Sequence, residues 1–361
     1  MSNNNRKYTL ILGGAGFIGS NLANRLLKHK QAVMVFDNLS RPGVEQNLRW
    51  LRETHGDTGL LIEVSDICDR RKLVKALSGA SAVFHFAAQV AVTTSLADPF
   101  HDFNVNVCGT MYLLEALRAL DTPPSLIFTS TNKVYGRIGD IRLRAVEGRY
   151  EPDDFSIRRS GISELCRLDF QSPYGCSKGS ADQYVIDYAR SFKLPAAVFR
   201  MSCIYGPHQQ GTEDQGWIAH FLIRALEERP ITIYGDGRQV RDALFIDDLV
   251  DALLLAQRNI RQVAGEAFNI GGGPSNTLSL LELIEIIDQL CGCRPDLIFE
   301  AWRSGDQQYF VSDTRKFKAA TGWAPKTAVR TGIELLHKWL ALSRVPRARK
   351  KEQHEICVDQ S

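Results

Sequence analysis

The sequence predicts an α/β fold, a doubly wound parallel sheet with a smaller C-terminal domain, and three observations carry that prediction. A short apolar run, Tyr8–Leu12, meets a cluster of glycines and then an amphipathic stretch from Phe17 to Lys28. Strand-like and helix-like patterns then alternate through the first 200 residues, which implies helices on both faces of a mostly parallel sheet. One of the strands, Ala82-Val-Phe-His-Phe-Ala-Ala88, is apolar almost throughout, as strands buried on both faces are. From about residue 201 the segments become shorter and more polar. Residues 1–200 with about 243–262 are expected to form the sheet domain. Residues 201–242 and 263–342 are expected to form the smaller one. The stretch 343–361 has no apolar period and reads as a disordered tail.

The elements can be justified in chain order. Gly13, Gly16 and Gly19 lie between the first strand and the first helix. Gly13 permits a tight turn, Gly16 lets the backbone approach a pyrophosphate, and Gly19 lets helix and strand pack closely. The helix N-terminus then faces the phosphates, as in a Rossmann-type dinucleotide site. The second strand, Ala32–Phe36, ends at Asp37, 18 residues after Gly19. A carboxylate there binds ribose hydroxyls and repels a 2′-phosphate, so NAD is favoured over NADP. The third strand, Leu60–Ser65, is followed by Asp66-Ile67, and the fourth contains His85, read as a packed core histidine. A fifth strand begins at Leu126 and ends in the hydroxyl-bearing Thr129-Ser-Thr131. A long helical pattern from Ser172 to Phe192 opens with Tyr174-Gly-Cys-Ser-Lys178, which puts Tyr174 and Lys178 one turn apart on one face. An ammonium beside a phenol favours the phenolate, so this pair, with Thr131 sharing the proton, outlines a redox site.

Composition narrows the classes. The chain has 361 residues, 44% of them hydrophobic and 24% charged, with a formal net charge of +3. That balance fits a globular protein and gives no reason to expect a nucleic-acid or membrane partner. No apolar stretch approaches the roughly 18 residues of a membrane span, and Met1–Lys7 lacks the apolar run of a secretory leader. Eight scattered cysteines suit reduced thiols and a cytoplasmic location. Cys291-Gly-Cys293 is the one close pair, and no metal is expected.

The glycine spacing, the Tyr174-x-x-x-Lys178 pair and the Thr131-x-x-x-Tyr135-Gly136 strand end resemble the extended short-chain dehydrogenase/reductase family. The resemblance runs from about Tyr8 to Leu340. It implies NAD as cofactor, held by Gly13, Gly16, Phe17, Ile18, Gly19, Asp37 and Asn38. Asp66 and Ile67 would border the adenine, and Phe86, Ala87, Ala88, Gln89, Asn106 and Met201 would line the groove. It further implies Thr131, Tyr174 and Lys178 as catalytic residues, with Lys178 also on the nicotinamide ribose. A nucleotide-diphosphate sugar would be gripped by Arg241 and Arg303. Thr131, Asn132, Lys133, Cys203 and Gln215 would complete its site. Cys203 stands where relatives usually carry Asn. A homodimer or higher homo-oligomer, with the Tyr174 helix pairing with its mate across a dimer, is expected by the same analogy.

Within that family, dehydratases place Asp-Glu directly after the catalytic threonine, and here those positions are Asn132 and Lys133. A 4,6-dehydratase is therefore disfavoured. Thr129–Gly136, Leu168–Tyr184, Asp214-Gln-Gly-Trp217 and the long insert from Arg137 to Gln171 resemble the branch that inverts C2 of CDP-hexoses. A UDP-sugar 4-epimerase is the alternative left open.

Overall fold

The computed structural model describes residues 8–138, 141–303 and 305–344; the expected tail beyond Arg344 lies outside the described residues. The first five strands are β1 (Tyr8–Leu12), β2 (Val33–Asp37), β3 (Leu60–Val64), β4 (Ala80–His85) and β5 (Ser125–Thr131). A hairpin, β6 (Leu143–Val146) and β7 (Arg149–Pro152), follows in the insert. Then come β8 (Ala196–Met201), β9 (Cys203–Tyr205), β10 (Ile231–Tyr234), β11 (Val240–Phe245), β12 (Ala267–Ile270), β13 (Thr277–Ser279), β14 (Leu297–Glu300) and β15 (Tyr309–Phe310).

Seven strands form one parallel sheet in the order β12-β8-β5-β4-β1-β2-β3. The order reverses between β1 and β4, which opens a crevice at their carboxyl ends. Leu22, Leu26, Leu249 and Leu253 pack on one face, from the helices Phe17–Lys28 and Ile246–Arg258. Leu73, Leu113, Leu117, Ala181 and Val185 pack on the other. The smaller lobe is built on β11, which pairs with β13, β15 and β9, while β10 pairs with β14. His85 is 1% exposed, bonds Thr110 and meets the Phe128 ring edge-on, as expected of a core histidine.

Two expected boundaries change. Strand β12 lies after residue 263 yet is the seventh strand of the large sheet, because its apolar Ala267–Ile270 pairs in register with Val198–Met201. The insert's hairpin, placed by sequence with the large domain, packs instead on the smaller lobe. Tyr150 donates its N–H to the Arg238 carbonyl and its hydroxyl to Asp236, and Arg149 pairs with Glu282.

The helix Ser172–Ser191 is fixed to the sheet by a buried ion pair. Asp182 is fully buried and receives Arg200 Nε and Nη2, each at 2.9 Å, from near the C-terminal end of β8. Arg200 Nη1 also donates to the Tyr135 hydroxyl, which donates to Asn269 Oδ1 on β12 at 2.7 Å. Asp182→Ala would strand a buried guanidinium, and the expected loss is about 3–5 kcal/mol in urea unfolding; a loss below about 1 kcal/mol would refute the claim that this pair clamps the helix.

Candidate active site

The crevice at the switch point begins with the glycine turn. Gly13 has φ 78°, and a Cβ there would stand 2.6 Å from the Ala87 nitrogen. At Gly19 a Cβ would meet the Gly13 carbonyl at 2.4 Å, so strand and helix touch backbone to backbone. Gly16 starts the helix, and a Cβ there would meet only the Gly13 oxygen at 3.3 Å; its other side faces open groove. This cradle fits a pyrophosphate. Asp37 closes it at the end of β2, accepting the N–H groups of Ala15 and Leu39 at 3.0 and 2.9 Å. Burial pushes the Asp37 carboxyl up, and those backbone donors oppose the shift. Asn38 donates to Asp66 at 2.8 Å, and Asp66 also accepts the Cys68 N–H, so this expected adenine-side group is tied together. Ile67 is 4% exposed and packs in the core beside it.

A cavity of about 520 Å³ continues from the groove into the smaller lobe. Phe17, Ile18, Phe86, Ala88, Thr131, Asn132, Lys133, Tyr174, Lys178, Met201, Cys203, Gln215, Arg241 and Arg303 all line it. Ala87 and Gln89 belong to the β4 loop behind that wall. Asn106 corrects the expectation that it lines the groove. It is 1% exposed, in a wide i→i+5 turn at Asn104–Cys108, and it holds the loop to the Tyr174 helix. Its amide exchanges hydrogen bonds with Gln89 N and O at 3.0 and 3.1 Å and donates to Ser177 Oγ at 3.0 Å.

Thr131 ends β5 and lines the cavity with Tyr174, where its hydroxyl favours the ionised phenol. Tyr174 is held from its backbone by Ser95 Oγ at 3.2 Å. Lys178 Nζ stands 4.3 Å from the Phe128 ring centre, one helical turn below the phenol. Burial opposes the phenolate that an ammonium beside the phenol would favour. Desolvation pushes the Tyr174 phenol up to about 12, against the Thr131 bond and the Arg41 charge, while Asp102 adds to the rise. Desolvation likewise pulls the Lys178 ammonium down to about 7, against Asp182 and Asp102. A bound nicotinamide cation would supply the charge that the protein alone does not.

At the other end of the cavity three cations meet carboxylates. Arg241 Nη2 bonds Asp306 at 2.8 Å, and Lys133 Nζ lies 3.7 Å from the same oxygen. Burial opposes it, but Arg241 and Lys133 together hold Asp306 below the usual carboxylate range. Burial and Arg241 push the Lys133 ammonium down, and Asp306 resists. Asn132 donates to Gln307 at 3.2 Å and accepts from Thr131 at 3.3 Å, so its amide is committed on both sides. Arg303 lies 3.7 Å over the Tyr234 ring and pairs with Glu213 and Asp214. Cys203 Sγ accepts the Trp217 indole N–H at 3.3 Å. Sequence reasoning missed Asp102, Asp306, Gln307 and Arg41. Only Asp306 had a visible signal, since it closes Arg303-Ser-Gly-Asp306.

Comparison with known proteins agrees with this geometry. The family described as NAD dependent epimerase/dehydratase matches residues 9–271. CDP-paratose 2-epimerase of Salmonella typhi is 42% identical over 91% of this chain and 98% of its own. A putative UDP-glucose 4-epimerase of Methanocaldococcus jannaschii is 30% identical over 92% and 97%. Among solved structures, Thermotoga maritima UDP-glucose 4-epimerase with UDP-glucose has a TM-score of 0.79 at 30% identity, covering 93% of this chain and 99% of that one. Bacillus cereus UDP-glucuronic acid 4-epimerase with UDP-glucuronic acid and NAD has a TM-score of 0.79 at 27% identity, covering 93% and 99%.

The lowered Lys178 has a stability consequence with a definite sign. An unfolded lysine keeps its proton to about 10.5, and the folded one releases it near about 7. Between those values the unfolded chain binds more protons, so stability rises with pH across the window. Lys178→Met is expected to be inactive yet more stable than the parent near pH 7, with the gap shrinking toward pH 10. Urea midpoints at the two pH values test this; a constant gap would contradict it.

Proposed function

The chain belongs to the NAD dependent epimerase/dehydratase family, and from that premise we propose that it is a nucleotide-sugar epimerase inverting C2 of a CDP-hexose. The observation that carries the reading is the pairing of a Thr131–Tyr174–Lys178 centre with Asn132 and Lys133 in place of an acid pair. Asn132 has no acidic proton, and its amide is taken up by Thr131 and Gln307. Lys133 is engaged with Asp306. Water elimination therefore lacks its general acid, whereas proton exchange at one hydroxyl does not need one. The similarity to CDP-paratose 2-epimerase across nearly both chains supports the choice of base and carbon.

NAD would be held by the glycine cradle, Asp37 and Lys178, and would supply reversible redox chemistry at the sugar carbon. The chain's own residues do the rest. Tyr174 takes the proton of the sugar hydroxyl, with Thr131 sharing the hydrogen bond, and returns it after the transient 2-ketone has turned its other face. Arg241 and Arg303 hold the diphosphate, a task suited to forked guanidinium groups. The arrangement ties the nucleotide tightly and leaves the sugar few fixed partners, so binding strength sits away from the centre that must turn.

This reading includes a homodimer in a cytoplasm with reduced thiols. Every described cysteine is a free thiol, and no described helix is long and apolar enough to cross a membrane. Phe100 and Tyr184, exposed at 82% and 44% on helices that pack together, support pairing at that face. Sedimentation equilibrium is expected to give twice the chain mass, and Phe100→Glu with Tyr184→Glu to give the monomer.

Proton NMR with CDP-glucose or CDP-paratose in D₂O, without added cofactor, tests the reaction. A change of configuration at C2 without deuterium uptake is expected, and Tyr174→Phe should slow it by about 10²–10⁴-fold. Inversion at C4 would make the protein a 4-epimerase, the reading favoured by its UDP-glucose 4-epimerase relatives. Deuterium at C2 would replace hydride return with proton abstraction from carbon.

A further inference from the structure

The segment Pro207–Gln215 joins the two lobes across the mouth of the groove. Toward the smaller lobe, Thr212 and Gln215 exchange backbone hydrogen bonds at 2.8 and 3.1 Å, which folds Glu213 and Asp214 into a tight turn. Arg303 holds that turn through the Glu213 carbonyl at 3.0 Å and through both carboxylates, and the Tyr234 hydroxyl donates to Glu213. Toward the dinucleotide lobe, Asn21 donates to the Pro207 carbonyl at 3.0 Å, and the Trp50 and His208 rings stack at 3.4 Å. The last contact is between side chains. Arg41 Nη2 donates to Gln215 Oε1.

Arg41 is placed by the turn that follows Asp37. Asp37 Oδ1 accepts the Leu39 N–H, Asn38 Oδ1 accepts the Ser40 N–H at 3.1 Å, and Leu39 adopts φ 55°. This doubly bonded turn leads into Arg41, whose guanidinium reaches Gln215 in the cavity lining. Its guanidinium interacts with the charges of both Asp37 and Tyr174, which stand at the two ends of the expected cofactor path. Gln215 and Tyr174 line the same cavity. Gln215 keeps its place in the cavity lining while its side-chain oxygen accepts from Arg41.

We propose that Arg41 and Gln215 form a latch across the cofactor groove that keeps NAD on the protein from one turnover to the next. The inference rests on the proposed hydride-return reaction, in which a released cofactor would end the cycle with a ketone in place of an epimer. Arg41 supplies a positive charge felt by both Asp37 and Tyr174, and Gln215 fixes its fork, so neither residue serves without the other. They are positioning residues that leave the proton transfer to Tyr174.

The test uses the protein as purified, with the cofactor it carries. NAD released on denaturation is measured before and after gel filtration, and its loss during dialysis is followed over time for the parent, Arg41→Ala, Gln215→Ala and the double variant. About tenfold faster loss is expected in each single variant, the scale of one charge-assisted hydrogen bond. The double variant should be no faster than either single one, as shared partners require. Circular dichroism melting should be unchanged once NAD is saturating. Acceleration in Arg41→Ala alone would overturn the latch, leaving Arg41 as an independent phosphate contact. Parental rates in both single variants would overturn it too. A parent chain that itself emerges without NAD would overturn the resident-cofactor reading and the latch with it, an outcome distinct from failure of the variants alone.

Discussion

The buried contact between Asp182 and Arg200 sets the frame for everything in the cavity. It lies between the Tyr174 helix and strand β8, and Arg200 stands opposite Ser130 of β5 and Asn269 of β12 in the sheet register. Through Tyr135 it reaches Asn269, whose amide donates to the Ile162 carbonyl in the insert. One network therefore fixes the helix that carries Tyr174 and Lys178, the turn that follows Thr131, and the entry to the smaller lobe. Desolvating these ions is costly, so the network does more for registry than for net stability. On the proposed reading, registry is what proton sharing between Thr131 and Tyr174 needs, since a small displacement would move the two hydroxyls apart.

The same burial decides the protonation states, and it acts differently at the two lysines. Lys178 sits under the phenol with Asp182 and Asp102 as its nearest acids, and its ammonium is pulled down to about 7. A group poised there can change charge within the working range of the site. Lys133 is also pushed down by burial, but Asp306 lies beside it and Arg241 shares that carboxylate. Tyr174 is pushed up to about 12, so the protein by itself stores the centre as a neutral phenol. On the proposed reading a bound cationic ring changes that balance, which ties the base to the presence of its cofactor.

Much of this was legible in the sequence, for physical reasons. The first helix was placed at Phe17–Lys28 because glycine punctuation and a 3.6-residue apolar stripe coincide there. The parallel strands announced themselves as continuous apolar runs. The four-residue spacing of Tyr174 and Lys178 needs only helix geometry. What the sequence withheld depends on contacts between distant segments. Strand β12 is four residues long and looks like many short apolar runs, so only its pairing with β8 assigns it to the large sheet. Asn106 looked like a groove residue, yet its amide is spent holding the β4 loop to the helix. Arg41 follows a turn with no motif of its own, and its partner lies 174 residues away.

Charge pairing gives the cavity two ends of different character. Arg241, Lys133 and Arg303 already face Asp306, Glu213 and Asp214, so an anion arriving there must compete with carboxylates that are in place. Competition lowers affinity for a simple anion and favours one that can engage Arg241 and Arg303 together, as a diphosphate does. It also spares the empty site a cluster of uncompensated buried cations. The same cavity lining also includes Val90, Val92, Leu96 and Met201, apolar side chains that offer shape without hydrogen bonds. A ring held by its diphosphate and only loosely by its hydroxyls can rotate between two presentations to the same groove. Inversion at one carbon then needs no second base, because the substrate moves and the Thr131–Tyr174 pair stays where the Asp182–Arg200 clamp has set it.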